Sequence, residues 1–329
     1  MESFLITGAT GLLGSMLIKT IMSMEEYATG NIRIIAVARN IAKFNEMYKD
    51  YDCSNVVLKV MDLCSEESVR SVSESVDYII HCAATTTSSY MISNPVEVAD
   101  GIVIGTKNIL EVAKNKKVKS MVYLSSMEVY GAVPDIGRAR MEDELGEIDL
   151  GTARSCYSLA KRMSEHYCHI YKQEYGVPVK IARLAQTFGI GVRREDNRVY
   201  MQFARSVQKG TDIVLKTEGN SMGNYCAVED AIAAIFTILH KGVNGETYNV
   251  VNEANTMSIR SMAELVAERV ADGKIKVRVE LEDAAKTGYA PDTGLRLSSE
   301  KLRRLGWKPT KDLVQMYEDV LRELPVLED

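Results

Sequence analysis

The stretch Ser3-Phe4-Leu5-Ile6-Thr7-Gly8-Ala9-Thr10-Gly11-Leu12-Leu13-Gly14 decides how the remaining residues are read. Ser3 to Thr7 is a strand-like apolar run, and Leu17, Ile18, Ile21 and Met22 follow at helical spacing. Glycines punctuate the passage from one to the other. Gly8 permits a tight turn, Gly11 lets the backbone approach a pyrophosphate, and Gly14 lets the helix close on the strand, with the helix N-terminus facing the anion. Thr10, Leu12 and Leu13 complete the expected cofactor-contacting turn. Glycines so spaced also occur in turns without a ligand; lying between a strand and a helix, they point to the first unit of a dinucleotide-binding parallel sheet.

Further strands follow in the same style. Ile32 to Val37 is the second apolar run, Val56 to Val60 the third, Tyr78 to His81 the fourth, Met121 to Leu124 the fifth and Val179 to Leu184 the sixth. The second ends Val37-Ala38-Arg39-Asn40, where a NAD-binding chain ordinarily carries an acid for the ribose hydroxyls. Arg39 instead suits stacking on adenine, contact with a 2′-phosphate, or a plain solvated strand end. Asp62 and Leu63 are placed to bond the adenine amine and cover its ring, and the small side chains of Ala83 and Ala84 leave room for a cofactor. His81 reads as a packed or capping residue at a buried strand end. A long helix, Val96 to Lys114, is expected to bury a stripe of Ile104, Ile109, Leu110 and Ala113.

Chemistry is concentrated in Tyr157-Ser158-Leu159-Ala160-Lys161. On a helix running to about Tyr175, Tyr157 and Lys161 leave the same face one turn apart. An ammonium beside a phenol eases its ionisation, and a poised phenolate can take or return the proton of a substrate hydroxyl. Ser125-Ser126 comes straight off the fifth strand, so Ser126 stands at the carboxyl edge of the sheet, where it can hold that hydroxyl. The same two serines, taken alone, are turn formers. Pro134 to Thr152 reads as an active-site loop or variable surface. His166 and His169 lack a third ligand, so no metal is expected.

Composition excludes other classes. The chain has 329 residues, 46% hydrophobic and 26% charged, as in an ordinary globular protein. A net charge of −5 offers no basic surplus for nucleic acid or an anionic membrane. Six cysteines without paired spacing, and no apolar run long enough to span a bilayer, suggest a reduced, soluble, cytoplasmic protein.

Taken together, Thr7 to Gly14, Asp62-Leu63, His81-Cys82-Ala83-Ala84, Ser125 to Gly131, Tyr157 to Lys161 and the closing Leu305-Gly306-Trp307-Lys308-Pro309 resemble the extended short-chain dehydrogenase/reductases, the nucleotide-sugar epimerase/dehydratase family. Within it, Arg154-Ser155-Cys156-Tyr157, Lys161-Arg162 and Asp196-Asn197-Arg198-Val199 look most like the UDP-glucuronate decarboxylases. The resemblance implies a doubly wound Rossmann sheet with a smaller, interleaved C-terminal α/β substrate domain. It implies Tyr157, Ser126, Lys161 and Glu128 as catalytic residues acting through a 4-keto sugar, Lys161 on the nicotinamide ribose, and Gln186, Asn197, Arg198 and Val199 as substrate-binding residues. NAD is the implied cofactor, NADP being possible through Arg39, and a homodimer is implied through the two long helices.

The chain also departs from this pattern. Met127 replaces the acid that dehydratases place beside Glu128, Gly223 falls where the family has an arginine, and Ile102 and Gln186 stand where relatives carry asparagine. The expected division is 1–186 plus about 225–250 for cofactor and about 187–224 plus 251–329 for substrate. The functional expectation is a NAD(P)-dependent nucleotide-sugar epimerase or decarboxylase. The alternatives are an NADP-dependent carbonyl reductase and a non-catalytic cofactor sensor.

Overall fold

A computed structural model describes residues 1–282 and 292–324, so the parts of the expected substrate domain at 283–291 and 325–329 lie outside the described residues. Contacts divide the chain into two compact units. The first comprises Met1–Gly131, Glu147–Arg183 and Ile232–Tyr248; the second comprises Ala132–Gly146, Leu184–Ala231 and Asn249–Asp329. The chain therefore passes between units several times, and 132–146 and 225–231 belong to the second.

In the first unit the strands are β1 (Glu2–Thr7), β2 (Ile32–Ala38), β3 (Val56–Val60), β4 (Tyr78–His81), β5 (Ser120–Ser126) and β6 (Val179–Leu184). The sheet order is β3-β2-β1-β4-β5-β6, with Thr247–Val250 beyond β6 as its seventh strand. From β3 to β5 neighbours run parallel. The order reverses direction between β1 and β4, so their carboxyl ends part at the point where such sheets receive ligands. Leu5, Ile6, Ile34, Ile35, Ile79 and Ile80 are fully buried, as central strands covered on both faces require. Each such side chain contributes about 1.5–3 kcal/mol of burial.

The helices that matter for the site are α1 (Leu12–Met22), α2 (Pro95–Lys116) and α3 (Ser155–Tyr175). Pro at its first position starts α2, and Gly176 with φ 70° stops α3 in the left-handed conformation. One expected core position is wrong. Ile104 is 38% exposed, whereas Val98, Ile102, Ile109, Leu110 and Ala113 are buried. At about 100° per residue, position 104 points some 200° away from position 102 and cannot share its face.

The second unit has its own core, in which Phe188 stacks on Tyr200 at 4.4 Å and meets Tyr225 and Tyr317 edge-on. Its sheets are Gln186–Phe188, Met222–Ala227 and Asn252–Ser258 in one, Ile213–Leu215 and Val277–Val279 in the other. In this unit Ile259–Leu265 is α-helical. It then widens to a π turn, with Ala271 N–H donating to Val266 O at 2.9 Å.

Candidate active site

The glycine turn at the end of β1 is built by contact. Gly8 has φ +68°, and a Cβ on Gly14 would sit 2.2 Å from the Gly8 carbonyl oxygen, so the start of α1 lies directly on the turn. Gly11 caps α1 without a side-chain bond, and no acid occupies the first turn. No carboxylate of its own first turn competes at the positive end of α1, and this cradle fits a dinucleotide pyrophosphate.

Thr7 and His81 lock the ends of β1 and β4 together. The Thr7 hydroxyl accepts from Cys82 N–H at 3.0 Å and Ala83 N–H at 3.1 Å, and it donates to His81 Nδ1 at 2.7 Å. The Thr106 hydroxyl donates to Ile102 O, so it accepts from His81 Nε2–H at 3.2 Å. This chain of donors assigns one neutral tautomer. Burial, reinforced by Lys161, pushes the His81 pKa down to about 3. His81 is therefore a structural tie, as expected. Because the unfolded imidazole titrates near 6.5 and the folded one near 3, stability is whole above pH 6.5 and falls as the pH drops towards 3. Chemical denaturation at pH 5 should show a loss of about 2 kcal/mol relative to pH 7, and His81→Gln should flatten that slope.

Two clefts lie beside the β2, β3 and β4 ends. One of ≈ 640 Å³ is lined by Asp62, Cys64, Asn94, Glu97 and Asp100 among others. The other, ≈ 390 Å³, has Arg39, Thr85, Thr87, Ser89 and Tyr90 in its wall and shares Ser93 and Glu97 with the first. Arg39 is exposed and its guanidinium makes no hydrogen bond or ion pair among the described residues. Asp62 caps its own turn through Cys64 N–H at 3.0 Å, while Leu63 is buried and its carbonyl accepts from Asn108 at 2.8 Å.

The Tyr157 helix docks on β5 through the buried Lys161. The Lys161 ammonium donates to Leu124 O at 2.6 Å, lies over the Tyr123 ring at 4.7 Å and stands 5.9 Å from the centre of the Tyr157 ring. Burial lowers its pKa to about 8, opposed by the carboxylate of Glu165. Ser126 ends β5, its oxygen accepting from Glu128 N–H at 3.2 Å. Glu128, on the 3-10 turn Met127–Tyr130, accepts from Arg154 at 2.9 Å and from Ser158 at 3.3 Å. Tyr157 itself is 5% exposed, its ring packed with Met91, Val98, Ile102 and Ala160. Four expected residues, Ser126, Glu128, Tyr157 and Lys161, thus belong to one junction of strand end and helix, in the unit that carries the glycine cradle.

A profile of the NAD dependent epimerase/dehydratase family matches residues 4–251. The chain belongs to that family. Curated relatives of this chain include a dTDP-glucose 4,6-dehydratase of Haemophilus influenzae, 25% identical over 94% of each chain. A UDP-glucuronic acid decarboxylase 6 of Arabidopsis thaliana is 27% identical over 93% of this chain and 83% of its own. Among solved structures, UDP-glucose 4-epimerase of Thermotoga maritima with UDP-glucose superposes with TM-score 0.80 at 19% identity over 97% of both chains. The dTDP-glucose 4,6-dehydratase of Bacillus anthracis, in complex with NAD, superposes with TM-score 0.78 at 21% identity, covering 98% and 96%. Dehydratases and decarboxylases match to a similar degree, so similarity alone does not single out the decarboxylase branch.

The remaining expected residues lie in the second unit. Arg198 is folded back on Asp196 and over the Tyr200 ring at 5.0 Å; Asn197 and Val199 flank it, and Gln186 pairs with Tyr225 across the sheet. Gly223 has a physical counterpart to its missing side chain. A Cβ there would meet the Tyr225 hydroxyl at 2.2 Å, so the phenol two residues on fills the space an arginine stem needs. Sequence reasoning passed over Arg154 and Ser158 as partners of Glu128, although both lie within a turn of Tyr157. His166 and His169 are exposed on α3. No group of three potential metal ligands occurs among the described residues, and none of their helices is long and apolar enough to cross a membrane.

Proposed function

We propose that this chain is a NAD-dependent nucleotide-sugar epimerase or decarboxylase that works through a transient 4-keto sugar. The observation that carries the reading is the junction at which Lys161 bonds Leu124 beside Ser126, with the Tyr157 ring on the same helix face. Tyr157 takes the proton of the sugar 4-hydroxyl while Ser126 holds that oxygen, and Lys161 supplies the positive charge that favours the phenolate. The bound nicotinamide supplies the hydride acceptor and donor. A ketone at that carbon acidifies neighbouring C–H bonds, makes a 6-carboxylate a β-keto acid, or accepts reduction from its other face. Glu128, oriented by Arg154 and Ser158, serves as base or sugar-positioning group. Met127 beside it carries no proton to give, which disfavours 4,6-elimination. Gly8, Thr10, Gly11, Leu12, Leu13 and Gly14 hold the pyrophosphate, Asp62, Leu63, Ala83 and Ala84 border the rest of the cofactor, and Gln186, Asn197, Arg198 and Val199 meet the substrate. The protein acts as a homodimer through α2 and α3, where Val96, Ile104 and Met163 are exposed. Incubation with a panel of UDP- and dTDP-sugars, followed by the anomeric proton signals and by reduced-nicotinamide absorbance, tests the reading. Product formation without net cofactor consumption supports it; stoichiometric consumption overturns it.

The unpaired guanidinium of Arg39 favours a second reading, an NADP-dependent carbonyl reductase. Charge-assisted bonds to a phosphate are worth about 1.5–3 kcal/mol, so Ala38→Asp with Arg39→Asn should shift the NADP-to-NAD affinity ratio by roughly 10- to 100-fold towards NAD. Titration calorimetry with both cofactors reads the shift, and an unchanged ratio removes Arg39 from ribose recognition.

A further inference from the structure

Glu165 follows Lys161 by one turn of α3, on the same face, and is 5% exposed. Its carboxylate has three donors: the Ser125 hydroxyl at 2.5 Å, Arg183 Nε at 2.9 Å and Arg183 Nη2 at 2.8 Å. Arg183, itself 4% exposed on β6, uses Nη1 to donate to the Tyr130 hydroxyl at 3.2 Å and lies 5.0 Å from the centre of that ring. A buried ion pair of this kind rarely stabilises a fold more than apolar side chains of the same volume. The pair is distinguished by what it joins: Ser125 is bonded to Ser126, Tyr130 closes the turn that bears Glu128, and α3 carries Tyr157 and Lys161.

We infer that Glu165, clamped by Arg183, is a positioning residue that keeps the Lys161 ammonium charged and holds the Ser126 strand end against α3. The inference rests on the assignment of Tyr157 and Lys161 to proton transfer. The groups facing Lys161 are His81 at the end of β4 and Cys82 just beyond it, Tyr123 from β5, and Tyr157, Glu165 and Cys168 from α3. His81 is held neutral, and burial pushes both thiols up. Glu165 is the carboxylate of that set, and it opposes the desolvation that already brings Lys161 down to about 8. Without it, an ammonium at neutral pH loses its main electrostatic support.

The test reads Lys161 directly, with no substrate. Protein labelled with 13C at the lysine ε-carbons is titrated by NMR, the Lys161 signal being the one absent from Lys161→Met. Replacing the pair together, Glu165→Met with Arg183→Met, removes both charges while keeping apolar volume. The Lys161 midpoint is expected to fall, because the Glu165 carboxylate raises it. The alkaline limb of kcat should move down with it while KM changes little. If the paired variant lacks a cooperative unfolding transition, Glu165→Gln is read the same way, and Glu165→Asp should recover part of the shift. A Lys161 midpoint unchanged in these variants overturns the inference. Failure of the proposed sugar chemistry appears separately, as absence of turnover in the wild type.

Discussion

Tyr157→Phe is expected to lower turnover of a nucleotide sugar by roughly 10³-fold, the middle of the range for a positioned acid–base group. The phenyl ring keeps its place among Met91, Val98, Ile102 and Ala160, so the melting temperature should barely move. Cofactor affinity should change by no more than about tenfold, the worth of one neutral hydrogen bond. This pattern separates chemistry from folding and binding. A variant that keeps most of its rate would remove Tyr157 from the proton path, and with it the proposed role of Lys161. Measurements of kcat, KM and NAD affinity on one preparation suffice.

The second large effect is at the glycine cradle. In Gly14→Ala the new methyl would lie 2.2 Å from Gly8 O and 2.8 Å from Gly8 C, both backbone atoms that no rotamer can move aside. Either α1 withdraws from the turn or the turn opens, and both displace the amides proposed to face the pyrophosphate. The expected result is a stability loss of about 1–3 kcal/mol, as for other overpacked sites. NAD affinity should fall at least about 100-fold, because the anion site is built from that backbone. Gly101→Ala is the control. That glycine lies within α2 with nothing within 4 Å of its added Cβ, so the change should leave NAD binding alone and stabilise by about 0.4–1 kcal/mol. Denaturant titration and calorimetry of the two variants decide the matter; equal behaviour would show that the close approach at Gly14 is without consequence.

Much of the architecture is legible because its signals are local. Val56–Val60, Tyr78–His81 and Val179–Leu184 form at the residues where the apolar pattern places them. The exposed Ile104 shows the limit, since its hydrophobicity suggested core while its angle on α2 faces it away. Likewise Gly223 reads as a lost arginine until Tyr225 is seen filling its place. Glu165 was available as a third polar position one turn beyond Lys161, but a spacing of four is equally that of a solvated helix stripe.

The amino-acid order by itself determined the strand–glycine–helix unit, the succession of parallel strands, and the pairing of Tyr157 with Lys161 on one helix face. These follow from backbone periodicity and from residues no more than a turn apart. Only the tertiary structure decided which groups those residues meet: Leu124 for Lys161, Arg154 for Glu128, and Arg183 with Ser125 for Glu165. Those partners lie 37, 26, 18 and 40 positions away along the chain. The order β3-β2-β1-β4-β5-β6 brings them together, and that order arises from burial of whole sheet faces, which no local spacing records.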